Sequence, residues 1–288
     1  MPEPIRVRDL ELDFGSRTYV MGIVNMTPDS FSGDGLLVAR SPVARSPVEA
    51  AVAQAARIVA EGADIVDVGG ESTRPGHAPV EPTDELQRVV AVVAGIRARL
   101  PGLPISIETS KPQVAEAALA AGADIVNDVA GVTAGAQLAP VAAAHAAPYI
   151  VMHSRSVAEY SDVVSETVSD LRRALALAVA HGCAPGALIV DPGIGFGKTA
   201  EHNLALLRDL AALRALGRPL LLGTSRKSTI GLVLDLPVEE RLEGTLATTA
   251  LGIAAGVDIV RVHDVDANVR TARMSDAIIR GGWTGTGR

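Results

Sequence analysis

One cysteine, three lysines and 2% aromatic residues are the scarcities of this 288-residue chain. With Cys183 alone, no disulfide can form within the chain and no zinc cluster can be built from cysteines. No uninterrupted apolar run reaches the roughly 18 residues of a membrane span, and the opening Met1-Pro-Glu-Pro-Ile-Arg-Val-Arg-Asp-Leu lacks the apolar stretch of a secretory signal. Basic charge is short as well: 26 Lys and Arg stand against 33 Asp and Glu, a net charge of -7, the opposite of a nucleic-acid footprint. Apolar residues are plentiful at 48%, enough for a large core. The expectation is a cytoplasmic globular protein, one domain over residues 1–288, with neither membrane nor nucleic acid as partner.

The lysines are few but placed. Lys111, Lys198 and Lys227 each follow a short apolar run, in a chain that otherwise uses Arg. A compact ammonium and a planar guanidinium are not interchangeable at a site, so at least one of the three is a candidate functional residue.

Short β-rich runs alternate with Ala-rich helical stretches. Strands are expected at 18–24, 65–68, 105–107, 125–126, 149–152, 188–190, 220–222 and 258–260, and helices follow, as at 48–60, 86–100, 114–121 and 203–216. Eight strand-then-helix units predict an α/β fold, a (β/α)8 TIM barrel, rather than a doubly wound sheet, since no G-x-G-x-x-G follows the first strand. An internal echo supports the barrel: Gly62-Ala-Asp-Ile-Val, Gly122-Ala-Asp-Ile-Val and Gly256-Val-Asp-Ile-Val open the second, fourth and eighth strands. In each, Gly ends a helix and the apolar run starts a buried strand. The loops after the first two strands are long and read as lids. The first holds a tandem repeat, Val38-Ala-Arg-Ser-Pro and Val43-Ala-Arg-Ser-Pro, whose second copy supplies a helix start with Ser46 as cap, Pro47 and Glu49.

Chemistry in such a barrel sits at the C-terminal ends of the strands. There the chain places Asn25, Gly69 to Gly76, Glu108, Asn127-Asp128, His153, Asp191 to Lys198, Gly223 to Ser228, and Arg261 with His263, all expected to converge on one polar mouth. Gly223-Thr-Ser-Arg-Lys-Ser228 follows the seventh strand, a frequent phosphate site, and Arg226, Lys227, Arg261 and His263 would add positive charge, although Arg226 could equally pair with a carboxylate on a neighbouring helix. Gly197-Lys198-Thr199 resembles the end of a Walker A loop, but Pro192 stands where the first Gly is needed, so Lys198 reads as structural. Two of the three Phe, Phe31 and Phe196, fall in Gly-rich loops, where they either flank a flat ligand or close a loop onto the rim. Glu108, Asn127 and Asp191 offer the acceptors and amide that a pterin or purine ring would meet.

These residues resemble the dihydropteroate synthases. The resemblance runs through Met21-Gly-Ile-Val-Asn-Met-Thr-Pro-Asp-Ser-Phe-Ser32, Asp67-Val-Gly-Gly-Glu-Ser-Thr-Arg-Pro-Gly76, Asn127-Asp128 and Met152-His153. It continues through Asp191-Pro-Gly-Ile-Gly-Phe196, Ser225-Arg-Lys-Ser228 and Arg261-Val-His263. It implies condensation of 6-hydroxymethyl-7,8-dihydropterin pyrophosphate with p-aminobenzoate, a sulfonamide-sensitive step of folate synthesis. By that resemblance Glu108, Asn127, Met152, Asp191, Gly223 and Lys227 hold the pterin, and Asn25, Arg261 and His263 the pyrophosphate. Asn25 also ligates Mg2+. Thr73, Arg74, Pro75, Phe196 and Ser228 form the p-aminobenzoate pocket, Phe31 and Asp34 belong to the lid, and Glu108, Lys227 and Asn25 carry the catalysis. A homodimer is implied too.

The chain departs from the family pattern twice. Glu108 stands where Asp is usual, which moves the carboxylate by roughly 1.5 Å, and Ser32-Gly-Asp-Gly35 replaces Ser-Asp-Gly-Gly. Beside the synthase, a pterin-binding paralogue with little catalysis therefore stays open. A pterin-dependent methyltransferase fits less well with the phosphate-type loop, and a sugar-phosphate isomerase leaves the loop Phe residues without a role.

Overall fold

The computed structural model describes residues 2–26, 46–72 and 80–281. The chain opens with an antiparallel hairpin of two three-residue strands, β1 (Ile5–Val7) and β2 (Leu10–Leu12), too short to show a period in the sequence. Eight parallel strands follow: β3 (Tyr19–Asn25), β4 (Ile65–Gly69), β5 (Ile105–Thr109), β6 (Ile125–Asp128), β7 (Tyr149–Met152), β8 (Leu188–Asp191), β9 (Leu221–Leu222) and β10 (Ile259–Val262). From β3 to β8 each pairs with the next in sequence, β10 pairs with both β9 and β3, and an isolated bridge between Val190 and Leu220 joins β8 to the start of β9. The expected (β/α)8 barrel is the fold observed.

The helices outside the ring are α1 (Pro47–Ala60), α2 (Pro82–Arg99), α3 (Pro112–Ala120), α4 (Ala139–Ala144), α5 (Val163–Ala180), α6 (Ala200–Arg208), α7 (Ser228–Leu234), α8 (Leu242–Ala254) and α9 (Val265–Ile279). Their starts follow from the sequence. Ser46 and Glu49 form the expected capping box on α1, with Pro47 in its first turn. The Asp162 carboxylate accepts from Ser165 N at 2.8 Å to cap α5. The helix expected at 203–216 ends early: α6 stops at Arg208 and a 3-10 turn runs from Leu210 to Leu216. That turn buries Leu210 and Leu213, whose spacing of three residues suits its tighter period.

Period-two alternation sorts each strand into an inward and an outward set. Inward residues near the strand starts, among them Met21, Ile65, Ile125, Ile150, Ile189, Leu221 and Ile259, form one apolar cluster with Ile5, Val7, Leu12 and Phe14 of the hairpin region. The hairpin thus packs across the N-terminal end of the barrel. Outward residues such as Val66, Ile107, Val151 and Val190 form the larger core against the helices. The Gly-x-Asp echo has a physical reason. Gly62, Gly122 and Gly256 take φ of 104°, 113° and 97° at the helix ends. The Asp two residues on then accepts the backbone N–H at or next to the start of the preceding strand. Asp64 takes Val20 N at 2.9 Å, Asp124 takes Ile105 N at 2.9 Å, and Asp258 takes Leu220 N at 3.0 Å.

Candidate active site

The same alternation that fills the barrel with Ile and Leu puts charge at its other end. Two residues beyond Ile65 on β4 comes Asp67, two beyond Ile125 on β6 comes Asn127, and two beyond Ile189 on β8 comes Asp191. Arg261 follows Ile259 on β10 by the same count, and Glu108 follows Ser106 on β5. All of these point inward. Arg261 is their hub: its Nε lies 2.6 Å from Asp67 Oδ2, and its Nη2 forms an ion pair with Glu108 Oε2 at 2.6 Å. Asn127 Nδ2 donates to the same Asp67 oxygen at 3.1 Å. Burial alone would lower the Arg261 pKa, but the carboxylates of Glu108 and Asp67 outweigh it and hold the guanidinium above its ordinary value.

Asp67 is the residue that sequence reading missed. It sits inside an apolar strand run and is wholly buried, so it reads as an interruption of the core. Counting inward positions from Ile65 is the signal that finds it. Its Oδ1, and the Oγ of its register partner Ser106, have no hydrogen-bond partner among the described residues.

A small chamber above this layer is lined by Glu108, Asn127, Met152, Asp191, Gly223, Phe196, Lys227 and Arg261, and by Gly193 and Ile194 of the loop after β8. The sequence-predicted pterin residues are therefore brought together. Lys227, at the N-cap position of α7, sets its Nζ 4.2 Å from the centre of the Phe196 ring. Burial pulls Lys227 down to about 8, helped by the Arg261 charge and opposed by Asp191 and Glu108. Burial pushes Glu108 up to about 7, with Arg261 opposing and Asp67 assisting. Asp191 is raised by burial too, against the Gly193 N–H that its Oδ1 accepts at 2.7 Å. Gly69 makes room at the mouth: a Cβ there would stand 2.7 Å from Glu108 Oε2 and 3.5 Å from Asn25 Oδ1.

Several expected members are elsewhere. Asp128 follows inward Asn127 and His153 follows inward Met152, so both face outward. Asp128 accepts a hydrogen bond from the Tyr149 hydroxyl, and burial raises its pKa to about 6. His153 is fully buried against Asp170 of α5 and Lys198. Arg226 makes the alternative contact that the sequence allowed: Nε and Nη2 pair with Asp264 at 3.1 and 2.7 Å, so its charge is spent on that carboxylate. Lys111 binds Glu71 at 2.6 Å and also Glu85, at the base of the second long loop. Lys198 is not among the residues that line the chamber and instead binds the Gly193 and Phe196 carbonyls of the loop. Ser225 links the last two strand ends, with its Oγ 3.0 Å from His263 Nδ1. Ser228 opens α7. Phe31, Asp34, Thr73, Arg74, Pro75 and most of the tandem repeat lie outside the described residues.

A larger depression, about 530 Å3, lies at the opposite end beside Arg17, Asp64 and Asp276. There Arg17 pairs with Asp64, and Asp276 binds Thr18 and Arg280.

A (β/α)8 barrel whose strand ends carry acids, an amide and two cations around one chamber has the form of a barrel enzyme with a polar ligand site. A family model described as pterin binding enzyme matches residues 21–263. The Clostridium beijerinckii dihydropteroate synthase is 45% identical over 277 residues, covering 96% of this chain and 100% of that protein. The Synechocystis enzyme of the same name is 45% identical, covering 97% and 96%. Among solved structures, the dihydropteroate synthase of Xanthomonas albilineans with 4-aminobenzoic acid superposes with a TM-score of 0.87 at 38% identity, covering 96% and 98%. The chain belongs to the dihydropteroate synthase family of pterin-binding transferases.

Proposed function

We propose that the chamber binds 6-hydroxymethyl-7,8-dihydropterin pyrophosphate beside p-aminobenzoate and joins them into 7,8-dihydropteroate. Relatives solved with pteroic acid, with 4-aminobenzoic acid and with 7,8-dihydropteroate support these ligands. The observation that carries the reading is the joint placement of Glu108, Asn127, Asp191, Lys227 and Arg261 on one chamber. The two carboxylates accept from the ring edge, the Asn127 amide can accept or donate, Lys227 supplies a further donor, and Met152 packs beside the ring. Arg261, with His263 and Asn25 at the mouth, meets the pyrophosphate.

The reaction breaks the bond from the pterin methylene carbon to the pyrophosphate oxygen, and the electron pair leaves with pyrophosphate. The arylamine nitrogen then bonds to that carbon and loses a proton. Arg261 offsets charge that grows on the leaving group, and ionised Glu108 faces the cation that departure leaves behind. No covalent intermediate on the protein is needed. Phe196, with Thr73, Arg74, Pro75 and Ser228, is assigned to the arylamine, and Phe31 and Asp34 to a lid.

Mg2+ fits the donors present: Asn25 Oδ1 beside Gly69 is a hard oxygen ligand at the mouth, and magnesium is commonly held by one or two protein oxygens plus substrate phosphates. When bound there it would neutralise pyrophosphate charge. A homodimer is supported by apolar side chains that stand exposed on α7, α8 and α9: Leu232, Val233, Leu234, Leu251, Met274, Ile278 and Ile279. We place the activity in the cytoplasm.

The test is product formation from the pterin pyrophosphate, p-aminobenzoate and Mg2+, followed by chromatography. Dihydropteroate that disappears in Lys227→Ala supports the synthase. Pterin pyrophosphate bound without product would favour the paralogue with little catalysis.

A further inference from the structure

The loop that carries Phe196 is shaped by three glycines and fastened by one lysine. Gly193, Gly195 and Gly197 have φ of 63°, 85° and 59°, where side chains are strained. The loop lies against the chain just past β7: a Cβ on Gly193 would stand 1.7 Å from the His153 carbonyl oxygen, and one on Gly197 2.0 Å from that of Arg155. Lys198 joins the two segments. Its Nζ donates to His153 Nδ1 at 2.8 Å, to Gly193 O at 3.0 Å and to Phe196 O at 3.1 Å, with His153 O farther off at 3.4 Å.

Burial pulls Lys198 down to about 7, with Asp191 opposing; in its ammonium form it has three N–H donors and no acceptor, and three close acceptors face it. His153 is fixed in the accepting form. Its Nε2 lies 3.2 Å from Asp170 Oδ2, and an ionised carboxylate only accepts, so the ring proton is on Nε2 and Nδ1 keeps its lone pair for Lys198. Burial and the Lys198 charge push the imidazole down to about 4, which keeps it neutral. Asp170 is itself held by Arg155 Nη2 at 2.7 Å.

The same turn lines the chamber with Gly193, Ile194 and Phe196. Phe196 N donates to Gly193 O at 3.1 Å, and the Phe196 ring meets Lys227 Nζ at 4.2 Å. We propose that Lys198 is a positioning residue for the arylamine subsite: its three donors fix the turn from Gly193 to Phe196, and thereby the place of the Phe196 ring beside Lys227. This rests on the reading that Phe196 lines the p-aminobenzoate site. Geometry, not charge alone, is what the site uses, because an Arg fork cannot send three N–H groups from one atom.

Steady-state kinetics against both substrates test this in Lys198→Met, Lys198→Arg and Tyr160→Phe. Lys198→Met is expected to raise KM for p-aminobenzoate about tenfold, with KM for the pterin pyrophosphate within about twofold. Lys198→Arg is expected to give no recovery. Tyr160→Phe removes a different tie on the same loop, the hydroxyl donated to Gly197 O at 2.9 Å. It should show the same split at smaller size, and it decides the matter if the Lys198 variants do not fold. Equal rises in both KM values, recovery by Arg, or no split in any folded variant would overturn the proposal. Absence of product from the wild type would instead refute the synthase reading, and the assignment of Lys198 with it.

Discussion

Asp67 and Arg261 meet in the barrel interior with Oδ2 and Nε 2.6 Å apart, although 194 positions separate them in the sequence. Their strands, β4 and β10, both pair with β3, so the contact passes over one intervening strand rather than along a single ladder. Asp67→Asn would leave Arg261 paired with Glu108 alone and weaken the hold on Asn127. Removing one partner of a buried pair costs roughly 3–5 kcal/mol, and a shift near 1 Å at reacting groups costs about 100-fold in rate. The expected outcome is a lower Tm together with a fall in kcat/KM of about that size. Wild-type kcat/KM in a folded Asp67→Asn protein would show that the pair only fills space.

Glu108 and Lys227 set the expected pH dependence. Glu108 is ionised above about 7 and Lys227 protonated below about 8, so kcat/KM should rise through the first value and fall through the second. Glu108→Gln should flatten the acid limb. The stability effect has the opposite sense. Folding raises Glu108 from 4.5 to about 7, so the folded state holds a proton that the unfolded state has released between those values. Relative to Glu108→Gln, wild-type stability should be greatest below 4.5 and decline until about pH 7. Tm curves of the two proteins that stay parallel across that window would contradict it.

At the other end of the barrel, Asp258→Ala should affect stability and not chemistry. It removes the acceptor of Leu220 N, and a buried donor left unsatisfied costs roughly 1–3 kcal/mol. A lower midpoint in urea, with unchanged turnover per folded molecule, is expected. A loss of kcat at full folding would place this residue in the catalytic path.

The barrel was legible because its two signals are local. Apolar runs of a few residues mark strands, and a Gly at each helix end marks the turn into the next. The β1–β2 hairpin was not, since three residues per strand leave no period to read. Within the site, strand-end position located Glu108, Asn127, Asp191 and Arg261 but overreached at Asp128 and His153, because position along a strand does not give side-chain direction. Parity does: Asn127 and Met152 face in, so their neighbours face out. Asp67 escaped for the complementary reason, as an inward residue one level below the strand ends, where composition alone reads as core.

The hairpin also governs traffic. Inward Ile and Leu side chains fill the strand starts, with Leu12 and Phe14 packed against them, so among the described residues the barrel is a cup that opens at the C-terminal strand ends. Two substrates and two products must share that opening. On the proposed placement, a ring held by Asn127 and Glu108 would arrive before a partner that rests on Phe196, and the joined product would back out along the path by which its halves came in.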